Sequence, residues 1–394
     1  MRTTTTPERE RSTEGGVLHV ALELGSKKWK LGSSTGLGQA PRTHTVKAGD
    51  TPAILEEMAR AKQRFGLTTE ARVVSCYEAG PEGFWLHRCL VAQGIENHVV
   101  DSASIEVNRR QRRAKTDTLD VRALLRLLIR HTLGEAKVWR VVHVPPVAAE
   151  DRRQVHREQA ALTEDRTRIR NRVRGLLKTQ GVVVQKGWRW KTLGATLAAH
   201  RLWDGRPLGP ALLGRIGREL ERLQVIDAQL ATLRRAMVAE LQAADEGHGP
   251  IAMMQRLVEL RGLGVQTSRV LVMELFSWRD FTNRKQVGGC VGFDATPYQS
   301  GETHREQGIS KAGNVWVRRI MIQLAWSWVR LQPGSALTQW FNARFAHGGR
   351  RQRAIGIVAV ARKLLIALWR YVHGGEVPQG AVLGPVETYV LKAA

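Results

Sequence analysis

Through the first hundred residues apolar positions alternate with polar ones or gather in short runs, and beyond them they recur at helical spacing. Residues 17 to 24, VLHVALEL, and 28 to 34 read as two strands around a GSKK turn, with a third short strand near THTVKA. A helix from Thr51, a strand in ARVVSCYEAG, a helix near PEGFWLHRCLVAQG, a strand ENHVVD and a helix after Asp117 follow. Three meandering strands followed by alternating helix and strand predict an α/β domain with a mixed sheet, the element order of the ribonuclease H-like fold.

From Asp151 to about Thr179 the pattern predicts one long helix with an apolar seam of Leu162, Ile169, Val173, Leu176 and Leu177. Arg166, Arg170 and Arg174 share one face of it, while Arg168 and Arg172 point the other way, because two residues turn a helix by about 200°. Such a helix either is solvated or lies against phosphates on more than one side. A loop with Trp188, Trp190 and Trp203 leads to a second long helix, about Ala211 to Ala243. There Leu223, Ile226, Leu230, Leu233, Met237 and Leu241 form a seam that suits a short coiled coil or an ordinary helical hairpin. Further helices are expected over 253 to 275 around Gly262 and Gly264, from Ser310 to Leu331, and from about Arg353 to His373. The predicted organisation is a disordered tail 1–16, an α/β domain 17–150, a long-helix region 151–245, a mostly α-helical domain 246–380 and a tail 381–394.

Charge changes the picture. The 394 residues carry a formal net charge of +25, and the commonest partner of such a surplus is a polyphosphate, so nucleic acid is the expected ligand. No apolar run reaches the roughly 18 residues of a membrane span. The first 16 residues lack the apolar segment of a secretion signal. Cys76, Cys89 and Cys290 are scattered and no histidines pair at metal-ligand spacing. The expectation is a reduced cytoplasmic, nucleoid-associated protein whose metal, if any, sits on carboxylates.

Four acids stand where a ribonuclease H-like nuclease needs them: Glu23, Glu78, Asp117 and Asp120. Asp117 and Asp120 suit a helix N-cap and first turn equally well. Glu23 lies in an apolar strand, where an acid costs several kcal/mol unless paired or bound to a cation. Phosphodiester cleavage is served by two Mg²⁺ ions about 4 Å apart on shared carboxylates, and Mg²⁺ takes hard oxygen ligands. Arg109, Arg110, Arg112, Arg113 and Lys115 precede the aspartate pair, so phosphates would be held beside the metal. Farther on, Ser310 stands among Lys311, Gly313, Asn314 and Arg318 at an expected helix N-terminus. It reads either as a helix cap or as a nucleophile toward phosphorus, with the helix end, Lys311 and Arg318 stabilising the developing charge.

The pieces ALELGSKKW, YEAG, KTDTLDVRAL, RIRNRVRGLL, LRGLGVQTS, TPYQSG and ISKAGN with Arg318 occur in one order over roughly residues 18 to 370. In this the chain resembles the insertion-sequence one-ten family of transposases. That resemblance implies a RuvC-like DEDD domain and a C-terminal serine transposase domain, with Glu78, Asp117 and Asp120 as the later acids and Ser310 as nucleophile. It also implies Mg²⁺, donor and target DNA, a structured bridge RNA as guide, and a dimer that assembles into a tetramer with active sites composite between subunits. The chain departs from the family pattern at the first acid, where Glu23 replaces an aspartate; a glutamate serves if its backbone is set back. The reading is a recombinase acting through a phosphoserine. The alternatives are a metal-dependent RuvC-like junction nuclease, and a catalytically silent RNA- and DNA-binding relative.

Overall fold

Seven consecutive residues, LHVALEL, are extended and mostly buried because helices cover both faces of the sheet they enter. The computed structural model describes residues 16–106, 116–135, 137–185, 188–242, 247, 249–300 and 303–384. The chain divides into two compact units, Met1–Val144 and Pro145–Ala394.

The first unit runs β1 (Leu18–Leu24), β2 (Lys28–Ser34), β3 (Arg42–Lys47), α1 (Thr51–Arg64), β4 (Val73–Glu78), α2 (Trp85–Ala92), β5 (Glu96–Val100) and α3 (Asp117–Thr132). The sheet order is β3-β2-β1-β4-β5, antiparallel among the first three strands and parallel from β1 to β4 to β5. The expected mixed α/β architecture is therefore observed. Alternation along each strand sorts two cores. Leu18, Val20, Leu22 and Tyr77 pack with Ile54 and Met58 of α1 and Leu86 and Leu90 of α2. Ala21, Val74 and Cys76 pack on the opposite face with Val121, Leu124, Leu125 and Leu128 of α3. Helix α3 lies close against β2 because Gly32 has no side chain; a Cβ there would meet Val121 at 3.3 Å.

The second unit is mostly helical: α4 (Val147–Arg152), α5 (Gln154–Lys178), α6 (Leu193–Ala199), α7 (Pro210–Gln242), α8 (Pro250–Glu259) and α9 (Val265–Leu271), which continues into a π-helical turn, Val272–Phe276. Then come α10 (Arg284–Cys290), the hairpin β6 (Ala295–Ser300) and β7 (Thr303–Ile309), α11 (Val315–Leu331), α12 (Ala336–Phe345) and α13 (Arg350–Gly374). The helix expected from Asp151 is broken at Arg153 between α4 and α5. Both ends of the apolar seam of α7 are buried within the chain. Ile216, Leu220 and Leu223 pack with Ile169, Val173 and Leu177 of α5, while Met237, Val238 and Leu241 join the core built on α8, α9, α11 and α13. Among the described residues no helix is long and apolar enough to cross a membrane.

Candidate functional site

Register brings the first two acids together. Leu22 of β1 lies beside Tyr77 of β4 in parallel pairing, so the next residues along, Glu23 and Glu78, are neighbours at the carboxyl ends of two parallel strands. Both fall one step from the face filled by Leu22 and Tyr77, hence on the face covered by α3. The same face receives the first turn of α3, which carries Asp117 and Asp120 three residues apart. Lys30, directly opposite Glu23 in the β1–β2 ladder, extends its ammonium to Thr118 Oγ1 at 2.7 Å and ties that turn to the sheet. Four acidic positions from three elements thus share one end of one face.

Thr116, not Asp117, caps α3: its hydroxyl accepts the backbone N–H of Leu119 at 3.3 Å. Asp117 is exposed and Asp120 half-buried, in the first turn. The donor set is all carboxylate, the chemistry Mg²⁺ prefers, and Mg²⁺ is commonly held by one or two carboxylates with waters and substrate phosphates. Glu23 and Glu78, at neighbouring strand ends, are the residues that could hold such an ion. Among the described residues no three His, Cys, Asp or Glu side chains already converge as a cage. Arg109, Arg110, Arg112, Arg113 and Lys115 lie outside the described residues.

Ser310 is exposed at the end of β7. The helix expected to begin there begins instead at Val315, and its cap is Asn314, whose side chain accepts the N–H of Val317 at 3.0 Å. Ser310 therefore stands four residues ahead of the cap, in a loop clamped to the segment that precedes β6. The amides of Ser310, Lys311 and Asn314 donate to the carbonyls of Asp294 (2.8 Å), Gly292 (3.1 Å) and Cys290 (3.0 Å). Lys311 has φ of 57°, the one positive value outside glycine among the described residues. A left-handed lysine costs on the order of 1 kcal/mol and persists only where surrounding contacts impose it. They do here: at Gly292, itself at φ 71°, a Cβ would lie 2.0 Å from the Ala312 carbonyl oxygen. Arg318 Nη1 donates to the carbonyls of Val291 (2.8 Å) and Ala312 (3.1 Å), so this arginine braces the loop.

Behind the loop lies a buried charge cluster that sequence reasoning missed. Glu274, in the π-helical turn and 1 % exposed, accepts from His156 Nε2 (3.0 Å) and from Arg157 Nε (2.8 Å) and Nη2 (3.1 Å), with Arg153 Nη1 at 3.6 Å. Asn314 Nδ2 lies 3.5 Å from its other oxygen, and the His156 ring stacks on Trp316 at 5.0 Å. Burial pushes the Glu274 carboxyl up, but the bonds from His156 and Arg157 outweigh it and hold the pKa at about 2. Burial lowers the pKa of His156, against the raising effect of Glu274. The legible signal was an acid inside the apolar run VLVMELF, the same anomaly that marked Glu23.

The arginines of α5 are engaged within the chain. Arg166 and Arg170 face Asp227 of α7 at 3.6 and 3.8 Å, Arg172 pairs with Glu219 at 2.8 Å, and Arg168 pairs with Glu164 and Asp165 of its own helix. Arg170 and Arg174 sit over the Trp190 ring. Lys311 is exposed.

A family model described as the transposase IS116/IS110/IS902 family matches residues 254–339, the stretch that holds Glu274, the hairpin and Ser310. The chain is 42% identical over 377 residues to the putative transposase y4rJ of Sinorhizobium fredii, covering 93% of this chain and 95% of that one. It is 29% identical over 232 residues to a probable family 20 transposase of Pseudomonas aeruginosa, covering 58% of this chain and 65% of that one. It is 25% identical over 226 residues to the transposase for insertion sequence element IS1328 of Yersinia enterocolitica, covering 57% and 63%. The similarity places the chain among the transposases of insertion sequences, a class of DNA-recombining enzymes. Within it, the chain belongs to the IS110 family.

Proposed function

We propose that this transposase cuts and rejoins DNA through a covalent phosphoserine at Ser310. The observation that carries the reading is that Asn314 caps α11, so Ser310, exposed on a braced and strained turn, has no helix-capping duty to explain it. Attack by Ser310 Oγ forms an O–P bond, breaks the P–O bond to one deoxyribose oxygen and leaves that oxygen to take up a proton. Attack on the phosphoserine by the hydroxyl of another DNA end reverses these bond changes and restores the serine. Bond energy is conserved, so no nucleotide is consumed. The N–H groups that begin α11 and the exposed Lys311 provide positive potential for the developing phosphorane charge.

In the first unit, Glu23, Glu78, Asp117 and Asp120 would hold Mg²⁺, which when bound neutralises charge on the attacking and leaving oxygens. The sheet order β3-β2-β1-β4-β5 with acids at the ends of β1 and β4 supports a RuvC-like reading of this unit. Lys30 orients the first turn of α3 beside them. The net charge of +25 suits DNA together with a structured guide RNA, with Arg109, Arg110, Arg112, Arg113 and Lys115 as phosphate ligands and the α5 arginines available in part. The resemblance adds a bridge RNA and assembly into dimers and tetramers.

The test is a denaturing gel for protein-linked DNA, using purified protein, transcript of the element's noncoding end, supercoiled donor and target DNA, and Mg²⁺. Wild type yields an adduct and Ser310→Ala yields none. Strand breaks that persist in Ser310→Ala without an adduct would replace this reading with hydrolysis by the acidic centre.

A further inference from the structure

We propose that Glu274 is a positioning residue for the Ser310 turn, acting through Asn314; this rests on the serine reading above. The acid is 1 % exposed, in a stretch from Leu271 to Phe276 none of whose residues is more than 1 % exposed, so it is not placed for contact with solvent or substrate. A π-helical turn inserts one extra residue into a helix and reorients the side chains around it, at a cost in hydrogen-bond geometry that is usually retained for function. Glu274 is the one acid of this turn.

The orientation of the Asn314 amide follows from its cap. Oδ1 accepts from Val317 N–H, so the amide NH₂ is the group that faces Glu274 Oε2, at 3.5 Å. His156 must donate from Nε2, since the carboxylate only accepts, and its ring then stacks on Trp316. Glu274 therefore touches the start of α11 twice, directly at Asn314 and through His156 at Trp316. Arg153 stands at the break between α4 and α5 and His156 and Arg157 in the first turn of α5, so the cluster joins that break to the end of the serine turn. A buried pair of this kind adds little net stability against an apolar replacement, and its best-attested value is to specify one arrangement. The arrangement specified here is the path of residues 310 to 314, whose carboxyl end is fixed by Asn314 and whose amino end is fixed by the hairpin.

The experiment is a charge-swap series on the full-length protein with its RNA and DNA. Asn314→Asp keeps a good cap but turns a donor toward Glu274 into a second carboxylate. Its adduct formation is expected to slow by about tenfold or more, since misplacing a reacting group by about 1 Å can cost 100-fold. DNA affinity should stay close to wild type, while the urea midpoint falls with the repulsion of two neighbouring carboxylates and recovers in the double variant. Adding Glu274→Gln restores a donor–acceptor pair, and the double variant is expected to recover to within about threefold of wild type, a coupling that independent sites do not show. An Asn314→Asp variant as fast as wild type, or a double variant no faster than Asn314→Asp alone, overturns the proposal. Hydrogen exchange of peptides across 310–318 reads the same series without chemistry. Exchange should rise in Asn314→Asp and fall again in the double variant, and unchanged exchange overturns the proposal. If wild type gives no adduct, the serine reading fails and the exchange result still decides whether Glu274 holds the turn.

Discussion

The Asn314 side chain accepts the backbone N–H of Val317 at 3.0 Å and starts α11 without help from Ser310. Two roles that local sequence leaves mixed are thereby separated. Asn314→Ala should lower the unfolding free energy of the chain by about 1 kcal/mol, the usual loss for a removed cap. Ser310→Ala should leave the urea midpoint within about 0.5 kcal/mol of wild type, as for exposed substitutions. Equal losses would return Ser310 to a structural role.

The crossing of the serine turn over Gly292 makes a second expectation. Gly292→Ala places a Cβ at 2.0 Å from the Ala312 carbonyl oxygen and 2.6 Å from its nitrogen, at φ 71°. Backbone has to move, and destabilisation of more than about 2 kcal/mol is expected, with loss of adduct formation. Gly205→Ala, at φ 80° but with open space around its Cβ, is the control and should cost about 1 kcal/mol. Equal urea midpoints for the two variants would contradict the clamp.

Acid should weaken the second unit through the Glu274 cluster. The folded pKa of Glu274 is depressed from 4.5 to about 2, so its contribution is present above about pH 4.5 and is lost as pH falls toward 2. That interaction amounts to on the order of 3 kcal/mol in the acid limit. His156 is depressed as well, so the native state binds fewer protons than the unfolded chain below its ordinary 6.5, and stability falls in the same direction. Urea midpoints measured from pH 7 down to about pH 2.5 should therefore decline in wild type, first through His156 and below about pH 4.5 through Glu274. A double variant His156→Gln with Glu274→Gln should decline less, and matching slopes would show that the cluster is not the titrating element.

Much of the first unit was legible because its signals are local. The run VLHVALEL marked the first strand with Glu23 inside it, and a helix was expected after Asp117, where α3 begins. The neighbourhood of Glu23 and Glu78 follows from strand order, which the element sequence suggests. The contact of Lys30 with Thr118 does not, because it joins residues 88 apart. In the second unit the β6–β7 hairpin carries polar, weakly alternating residues, so no strand was read there and the helix of α11 was begun five residues early, at Ser310. The Glu274 cluster was missed since its partners lie 117, 118 and 40 positions away. The ion pairs of Arg166 and Arg172 of α5 with Asp227 and Glu219 of α7 were likewise not legible, because each joins residues far apart in sequence.

The acids make a fourth expectation. Glu23→Gln, Glu78→Gln and Asp120→Asn should each reduce strand cleavage by about 100-fold or more in Mg²⁺ while DNA and RNA binding persists, since binding rests on phosphate contacts. Glu23→Asp should retain at least part of the activity, and chelation by EDTA should stop cleavage in all. Full cleavage by any of the three neutral variants would remove that residue from the metal site.

The most direct measurement of the central claim is mass spectrometry of the trapped complex after nuclease and protease digestion, to find the peptide that carries a residual nucleotide. The account predicts the peptide containing Ser310, with the nucleotide on that hydroxyl and absent from Ser310→Ala. A nucleotide on any other residue, or free DNA ends with no modified peptide under conditions that produce strand exchange, would contradict it.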